Sequence, residues 1–170
     1  ATKYMSREDS STIGVIGTGH QAISQLTAIC AVRPIKSIKA YSRNAGRREQ
    51  FCNEMSNLLG IEVIPASSGE EAISGTDIAI AITNVRTLDP VLLGDWLEPG
   101  MHVNAAGANS IDRRELDDNA INKSSIIAVD AIDQAKLECA DLTIPTQSGL
   151  ITWDGIHELS TIVGGQIPGR

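Results

Sequence analysis

The chain has 170 residues, of which 42% are hydrophobic and 21% charged, a size and composition that suit one soluble domain. A net charge of -7 and a pI near 4.9 argue against a general nucleic-acid binder or a protein that rests on anionic membranes. Cys30, Cys52 and Cys139 are scattered with no Cys-x-x-Cys pair; they offer no zinc site, read as packing residues and fit a reducing compartment. No segment approaches the length of a membrane span and Ala1 to Ser10 lacks a signal-peptide pattern, so the expected location is the cytoplasm.

The first strong signal is Ser11-Thr-Ile-Gly-Val-Ile-Gly-Thr-Gly-His-Gln-Ala22, an apolar strand that runs into Gly17-x-Gly19-x-x-Ala22 and then into a helical pattern. Each residue type has its own reason. Gly17 makes the tight turn, Gly19 lets backbone approach a pyrophosphate, and Ala22 lets helix and strand pack closely. The pyrophosphate would rest on the free N–H groups and positive dipole end of the helix that starts near Gly19. Ala22, Ile23, Leu26, Ile29 and Cys30 share one helical face, Arg33-Pro34 closes the helix, and Ile35 to Tyr41 reads as a second strand. The glycine turn therefore lies inside a strand-helix-strand unit.

At the end of the second strand, an acidic residue would hydrogen-bond the adenosine ribose of NAD. Here the chain reads Tyr41-Ser42-Arg43-Asn44. A carboxylate would repel a 2′-phosphate, whereas Arg43 offers it a fork of donors, Ser42 and Asn44 add neutral ones, and Arg47 is a second cation one turn on. The expected cofactor is NADP(H), with NAD(H) as the alternative.

The alternation of strands and helices continues. Phe51, Met55, Leu58 and Leu59 predict a helix that Gly60 ends; Ile61 to Ile64 predicts a third strand; Ser67-Ser68-Gly69-Glu70-Glu71 reads as a capping box before a short helix. Asp77 to Thr83, rich in Ile and Ala, has the character of a central strand buried on both faces. Met101 to Ala105 and Ile126 to Val129 predict two more strands, with Arg113 to Asn122 helical between them. Beyond Ala140 the periodicity fades: Leu142 to Trp153 reads as loop and Gly155 to Val163 as a last helix. The predicted fold is α/β, a Rossmann-type doubly wound, mostly parallel sheet with helices on both faces. It forms one dinucleotide-binding domain over 1–170, with 1–10 ending an entering helix and 141–170 as a less regular extension.

Gly17-Thr-Gly-His-Gln-Ala22, Tyr41-Ser-Arg43, the block from Gly94 to Gly107, Arg114-Glu-Leu-Asp-Asp118, Val129-Asp130 and Gln134-Ala135 together resemble the ornithine cyclodeaminase and mu-crystallin family, in that family's order. The resemblance implies a protein about twice this length. In such a protein, segments flanking the dinucleotide domain build a substrate-binding and dimerisation domain that holds most of the substrate's basic ligands. It implies cofactor contacts at Gly17, Thr18, Gly19, His20 and Gln21 around the pyrophosphate, and at Ser42, Arg43, Asn44 and Arg47 around the adenosine. It further implies Thr83, Asn84 and Val85 flanking the nicotinamide side, with Ala106 and Gly107 near the ring. The implied partners are a small amino-acid or imine substrate and a second copy in a homodimer, with no nucleic acid and no membrane.

The sequence departs from the resemblance at Asn109. Ornithine-cyclising members carry an aspartate there that exchanges a proton, which an asparagine cannot do at neutral pH. Reduction of a cyclic imine, or interconversion of a 2-oxo acid and an amino acid, is the expected chemistry. Ornithine cyclisation and mu-crystallin-like binding of NADP(H) with little turnover are the alternatives. Asn109 either orients a substrate nitrogen or, with Ser110, caps a helix or closes a turn. His20 is expected to contribute backbone contacts, His102 to be a hydrogen-bonded structural residue, and Glu115, Asp117 and Asp118 to form a solvated helix face. Asp130 is expected to end a strand at the ligand edge, where it either positions a ligand group or caps the loop. A methyltransferase with a similar glycine turn is disfavoured, because an acidic ribose contact would be expected where Arg43 stands.

Overall fold

In the computed structural model, which describes residues 1–170, one helical turn, α1 (Thr2–Met5), precedes strand β1 (Thr12–Ile16). Helix α2 (His20–Cys30) buries Ala22, Leu26 and Ile29 at helical spacing. Strand β2 (Ser37–Tyr41) leads into α3 (Ala45–Leu59), which Asn44 caps and Gly60, at φ 65°, terminates in the left-handed conformation that glycine tolerates. There follow β3 (Glu62–Pro65), α4 (Gly69–Ile73), β4 (Ile78–Ala81), β5 (His102–Ala105), α5 (Asp118–Lys123), β6 (Ile127–Val129), α6 (Ile132–Glu138), α7 (Ala140–Gln147), β7 (Ile156–Glu158) and α8 (Leu159–Val163). No helix is long and apolar enough to cross a membrane.

Five strands form one sheet in the order β3-β2-β1-β4-β5, every neighbouring pair parallel. The chain order reverses between β1 and β4, whose last paired residues are Ile16 and Ala81. Strand β4 shows why the fold has two cores. Ile78, Ile80 and Ile82 pack with Ile13, Val15 and Ile38 against α2 and α3, whereas Ala79 and Ala81 pack with Ile16 against Ile73, Leu116, Ile121 and Leu142 on the opposite face. A strand covered on both faces has no polar side, which is the uninterrupted apolar run visible in its sequence. Gly14 in β1 is required by close approach: a Cβ there would collide with the Ala72 carbonyl of α4.

Several expectations are corrected. The helix predicted for Arg113 to Asn122 begins only at Asp118; the preceding residues are extended, with Leu116 bridged to Leu92, because the Asp141 carboxylate takes the N–H groups of Glu115 and Leu116. Strand β6 does not extend the main sheet but pairs with β7 in a separate two-stranded parallel sheet. Leu142 to Trp153 is not all loop, since α7 runs to Gln147. This helix buries Ala140, Asp141, Leu142, Thr143 and Pro145, so it has no solvated face to produce a periodic pattern. The predicted last helix is strand β7 followed by α8. The capping stretch Ser67 to Glu71 does open a short helix that runs to Ile73: Ser68 Oγ accepts from Glu71 N–H at 3.0 Å, while the Glu71 carboxylate accepts from the backbone and hydroxyl of Ser67.

Candidate functional site

The turn after β1 combines two glycines with different constraints. Gly17 has φ 114°, and a Cβ on it would strike the Ile82 carbonyl, so the glycine is demanded by the fold. Gly19 has an ordinary φ of -88° and a Cβ on it would meet no protein atom within 4 Å. The space beside Gly19 is open to a ligand. Gly19 is the N-cap of α2 and no side chain caps that helix; the Ala22 N–H is taken by the Gly19 carbonyl, but the N–H groups of His20 and Gln21 and the positive dipole end remain available to an anion.

Next to this turn lies the end of β2. Thr18 Oγ1 donates to Ser42 Oγ at 2.9 Å, which joins the glycine turn to the β2 loop. Asn44 spends its side-chain oxygen on the N-cap of α3, accepting from Arg47 N–H at 2.9 Å. Arg43 and Arg47 are exposed, and neither guanidinium is among the chain's ion pairs. Arg48, which the sequence did not single out, donates to the Ser42 carbonyl at 2.8 Å and lies 5.6 Å from the centre of the Tyr41 ring. It fixes the loop that presents Arg43.

At the other end, loops after β4 and β5 meet. Glu115, only 1% exposed, accepts from the Thr83 N–H at 2.6 Å, the Thr83 hydroxyl at 2.8 Å and the Gly107 N–H at 2.6 Å. The expected solvated acidic face is therefore corrected for two of its three members. Glu115 is a buried clamp, and Asp117 caps α5 through the Ala120 N–H while also accepting from Gly94 N–H. Asp118 is exposed and pairs with Arg114. Burial pushes the Asp141 carboxyl up from its ordinary 3.8 to about 6, and the Glu115 charge adds to this, against the backbone N–H groups of Leu116 and Glu115.

Asn109 is exposed, and its side-chain oxygen accepts from Arg113 at 3.1 Å; the same guanidinium nitrogen donates to Asn84 Oδ1 at 3.2 Å. Asn109 caps no helix, since α5 starts well after it, but Ser110 does close a turn to Arg113 N–H. With Oδ1 engaged, Asn109 offers chiefly its NH₂ donors. Arg113 and Glu115 are the side chains sequence reasoning missed. The signal was the Arg114-Glu-Leu-Asp-Asp118 block itself, whose charge density masked a buried Glu-Leu pair.

Gly17, Thr18, Gly19, His20, Gln21, Ser42, Arg43, Asn44, Arg47, Thr83, Asn84, Val85, Ala106, Gly107 and Asn109 all line a single cleft of about 830 Å³. Tyr41, Gly69, Val91, Trp96 and Arg113 complete its walls together with Ile16 and Ile82. The cleft crosses the carboxyl ends of β1, β2, β4 and β5 at the reversal of strand order, where open parallel sheets bind ligands. His102 lies outside it, hydrogen-bonded with Thr2 and Asn104, and burial lowers its pKa from 6.5 to about 4. Asp130 is also outside: because β6 leaves the sheet, its strand end is not at the ligand edge, and the carboxylate accepts from the N–H of Ala131.

The parallel doubly wound sheet, the uncapped helix behind a two-glycine turn and the cleft at the switch point define a Rossmann-type dinucleotide fold. The chain belongs to the ornithine cyclodeaminase/mu-crystallin family, whose model matches residues 1–170. It is 34% identical over 171 aligned residues to a delta(1)-pyrroline-2-carboxylate reductase of Bacillus cereus, covering 100% of this chain and 52% of that protein. It is 32% identical over 168 residues to the ketimine reductase mu-crystallin of Rattus norvegicus, covering 99% of this chain and 50% of that protein. The solved delta(1)-pyrroline-2-carboxylate reductase of Thermococcus litoralis, in complex with NADH and L-proline, is similar with a TM-score of 0.94 at 40% identity, over 100% of this chain and 52% of that one. The chain thus spans about half the length of these relatives.

Proposed function

We propose that this chain is the dinucleotide-binding domain of an NAD(P)H-dependent imine reductase that prefers NADP(H). Its substrate class is a cyclic imine carboxylate of the pyrroline-carboxylate type. The observation that carries the cofactor reading is the open space beside Gly19 at an uncapped helix N-terminus, in one cleft with two unpaired guanidinium groups. The names of the relatives support the reaction class.

In this reading the free amides of Thr18 to Gln21 hold the pyrophosphate, Gly17 shapes the turn with its own N–H donated to the Tyr41 carbonyl at 2.9 Å, and Arg43 and Arg47 hold the adenosine 2′-phosphate, with Ser42 beside them. Asn44 contributes through the α3 cap. Thr83, Asn84, Val85, Ala106 and Gly107 flank the nicotinamide, and the cofactor, when bound, supplies a hydride to the imine carbon. Asn109, whose oxygen is held by Arg113, orients a substrate nitrogen by hydrogen bonding rather than serving as a base. This favours imine reduction over ornithine cyclisation, which needs a proton-exchanging group at that place. We assign substrate selection and dimerisation to the half of the relatives' length that this chain does not span.

The test is a calorimetric titration with NADPH and NADH, repeated on Arg43→Ala. Loss of a charge-assisted phosphate contact should weaken NADPH binding by about 1.5–3 kcal/mol, roughly ten- to a hundredfold, and leave NADH unchanged. Equal affinities unaffected by the substitution would refute the phosphate preference; no binding of either dinucleotide would refute the cofactor reading itself.

A further inference from the structure

We propose that Glu115 is a positioning residue for the nicotinamide half of the dinucleotide, acting through Thr83 and Gly107; this rests on the cofactor reading above. The carboxylate is buried without a cationic partner and depends on three donors, all from the two loops that follow β4 and β5. An isolated buried charge is costly, and an apolar side chain would fill the same volume more cheaply. What an apolar side chain would not do is hold Thr83 and Gly107 together across adjacent strand ends. Both of those residues line the cleft, whereas Glu115 does not.

Two further observations point the same way. A Cβ at Gly107 would collide with both Glu115 Oε1 and the Thr83 backbone carbonyl, so the glycine is what lets the two loops close on the carboxylate. The backbone of Glu115 is itself held by Asp141 in α7, whose Oδ1 accepts from the N–H groups of Glu115 at 2.8 Å and Leu116 at 3.0 Å. A buried helix thus fixes the clamp and the clamp fixes the cleft wall.

The chemical consequence lies in the Thr83 hydroxyl. It donates its only hydrogen to Glu115, so toward the cleft it presents lone pairs alone. An acceptor of fixed polarity matches the NH₂ donors of the nicotinamide carboxamide. Glu115→Gln is nearly isosteric, but its NH₂ must face a backbone N–H, that of Thr83 or that of Gly107, so it opens one side of the clamp and no longer fixes the Thr83 hydroxyl as an acceptor.

The test compares three ligands by titration calorimetry on wild type, Glu115→Gln and Thr83→Val. NADP⁺ carries the carboxamide; the 3-acetylpyridine analogue of NADP⁺ replaces its NH₂ with a methyl group; 2′,5′-ADP lacks the nicotinamide altogether. Both variants should bind NADP⁺ about tenfold more weakly, yet bind the analogue and 2′,5′-ADP as wild type does. Unchanged NADP⁺ affinity, or a parallel loss of all three ligands as a merely structural role would give, overturns the inference. If Glu115→Gln does not fold, Thr83→Val removes only the hydroxyl and decides the matter by the same pattern. Wild-type protein that binds no dinucleotide would overturn the cofactor reading and this inference together, whereas normal wild-type binding with unaffected variants overturns this inference alone.

Discussion

Gly17 and Gly19 look alike in the motif and differ in what requires them. Gly17 combines a positive φ with a backbone collision, whereas Gly19 combines an ordinary φ with empty space. Gly17→Ala should therefore destabilise the protein by several kcal/mol, on the order of 2–4, because strain and overlap add. Gly19→Ala should change the melting temperature little and reduce NADPH affinity at least tenfold, since its methyl group occupies ligand space. Thermal melts and titrations of the two variants separate a glycine kept for the fold from one kept for the ligand; equal melting temperatures would refute the distinction. The motif was legible as a pair in the sequence, but the difference within it was not, because the colliding carbonyl belongs to Ile82, the residue just after β4 and far along the chain from Gly17.

At the scale of elements, α3 carries the start of the adenosine loop. Asn44, expected beside the adenosine, lines the cleft and spends its side-chain oxygen on the cap that places Arg47, which leaves its NH₂ donors for a ligand. Asn44→Ala should cost about 1 kcal/mol of stability, the usual loss of a good cap. Asn44→Asp preserves the cap and sets a negative charge beside Arg43; stability should hold within about 0.5 kcal/mol while the preference for NADPH over NADH declines. Chemical denaturation and paired titrations check both outcomes. Helices with one buried face, such as α2 and α3, were legible because their apolar spacing is local. Helix α7 was not, for its burial on several sides comes from elements far away in sequence, and the extended run before α5 depends on Asp141.

For the whole molecule, two buried groups set opposing responses to acid. His102 has its pKa lowered to about 4 by burial, so its contribution to stability is full above 6.5 and is lost as the pH falls toward 4. Asp141 is raised to about 6, so its contribution is full below 3.8 and is lost as the pH rises through 6. Each amounts to at most about 3 kcal/mol, and between about pH 4 and 6 they offset one another. Asp141→Asn retains an oxygen that can accept the same N–H groups, and should be more stable than wild type at neutral pH, with the advantage shrinking as the pH falls. His102→Gln should lose less stability on acidification than wild type. Urea denaturation of the three proteins across that range measures both differences; pH profiles parallel to wild type would contradict the assignment.

Local chemistry by itself determined the βαβ start, the glycine turn, the cationic end of β2 and the parallel class of the sheet, since each rests on residues near one another in the chain. Only the tertiary structure decided that β6 leaves the sheet, that Asn109 serves Arg113, and that Glu115 is a buried clamp rather than a solvated charge. The physical reason is the same in each case. A side chain's burial, partner and charge state are set by what packs on it, and the donors that hold Glu115 come from Thr83 and Gly107, whose strands lie side by side only in the folded sheet.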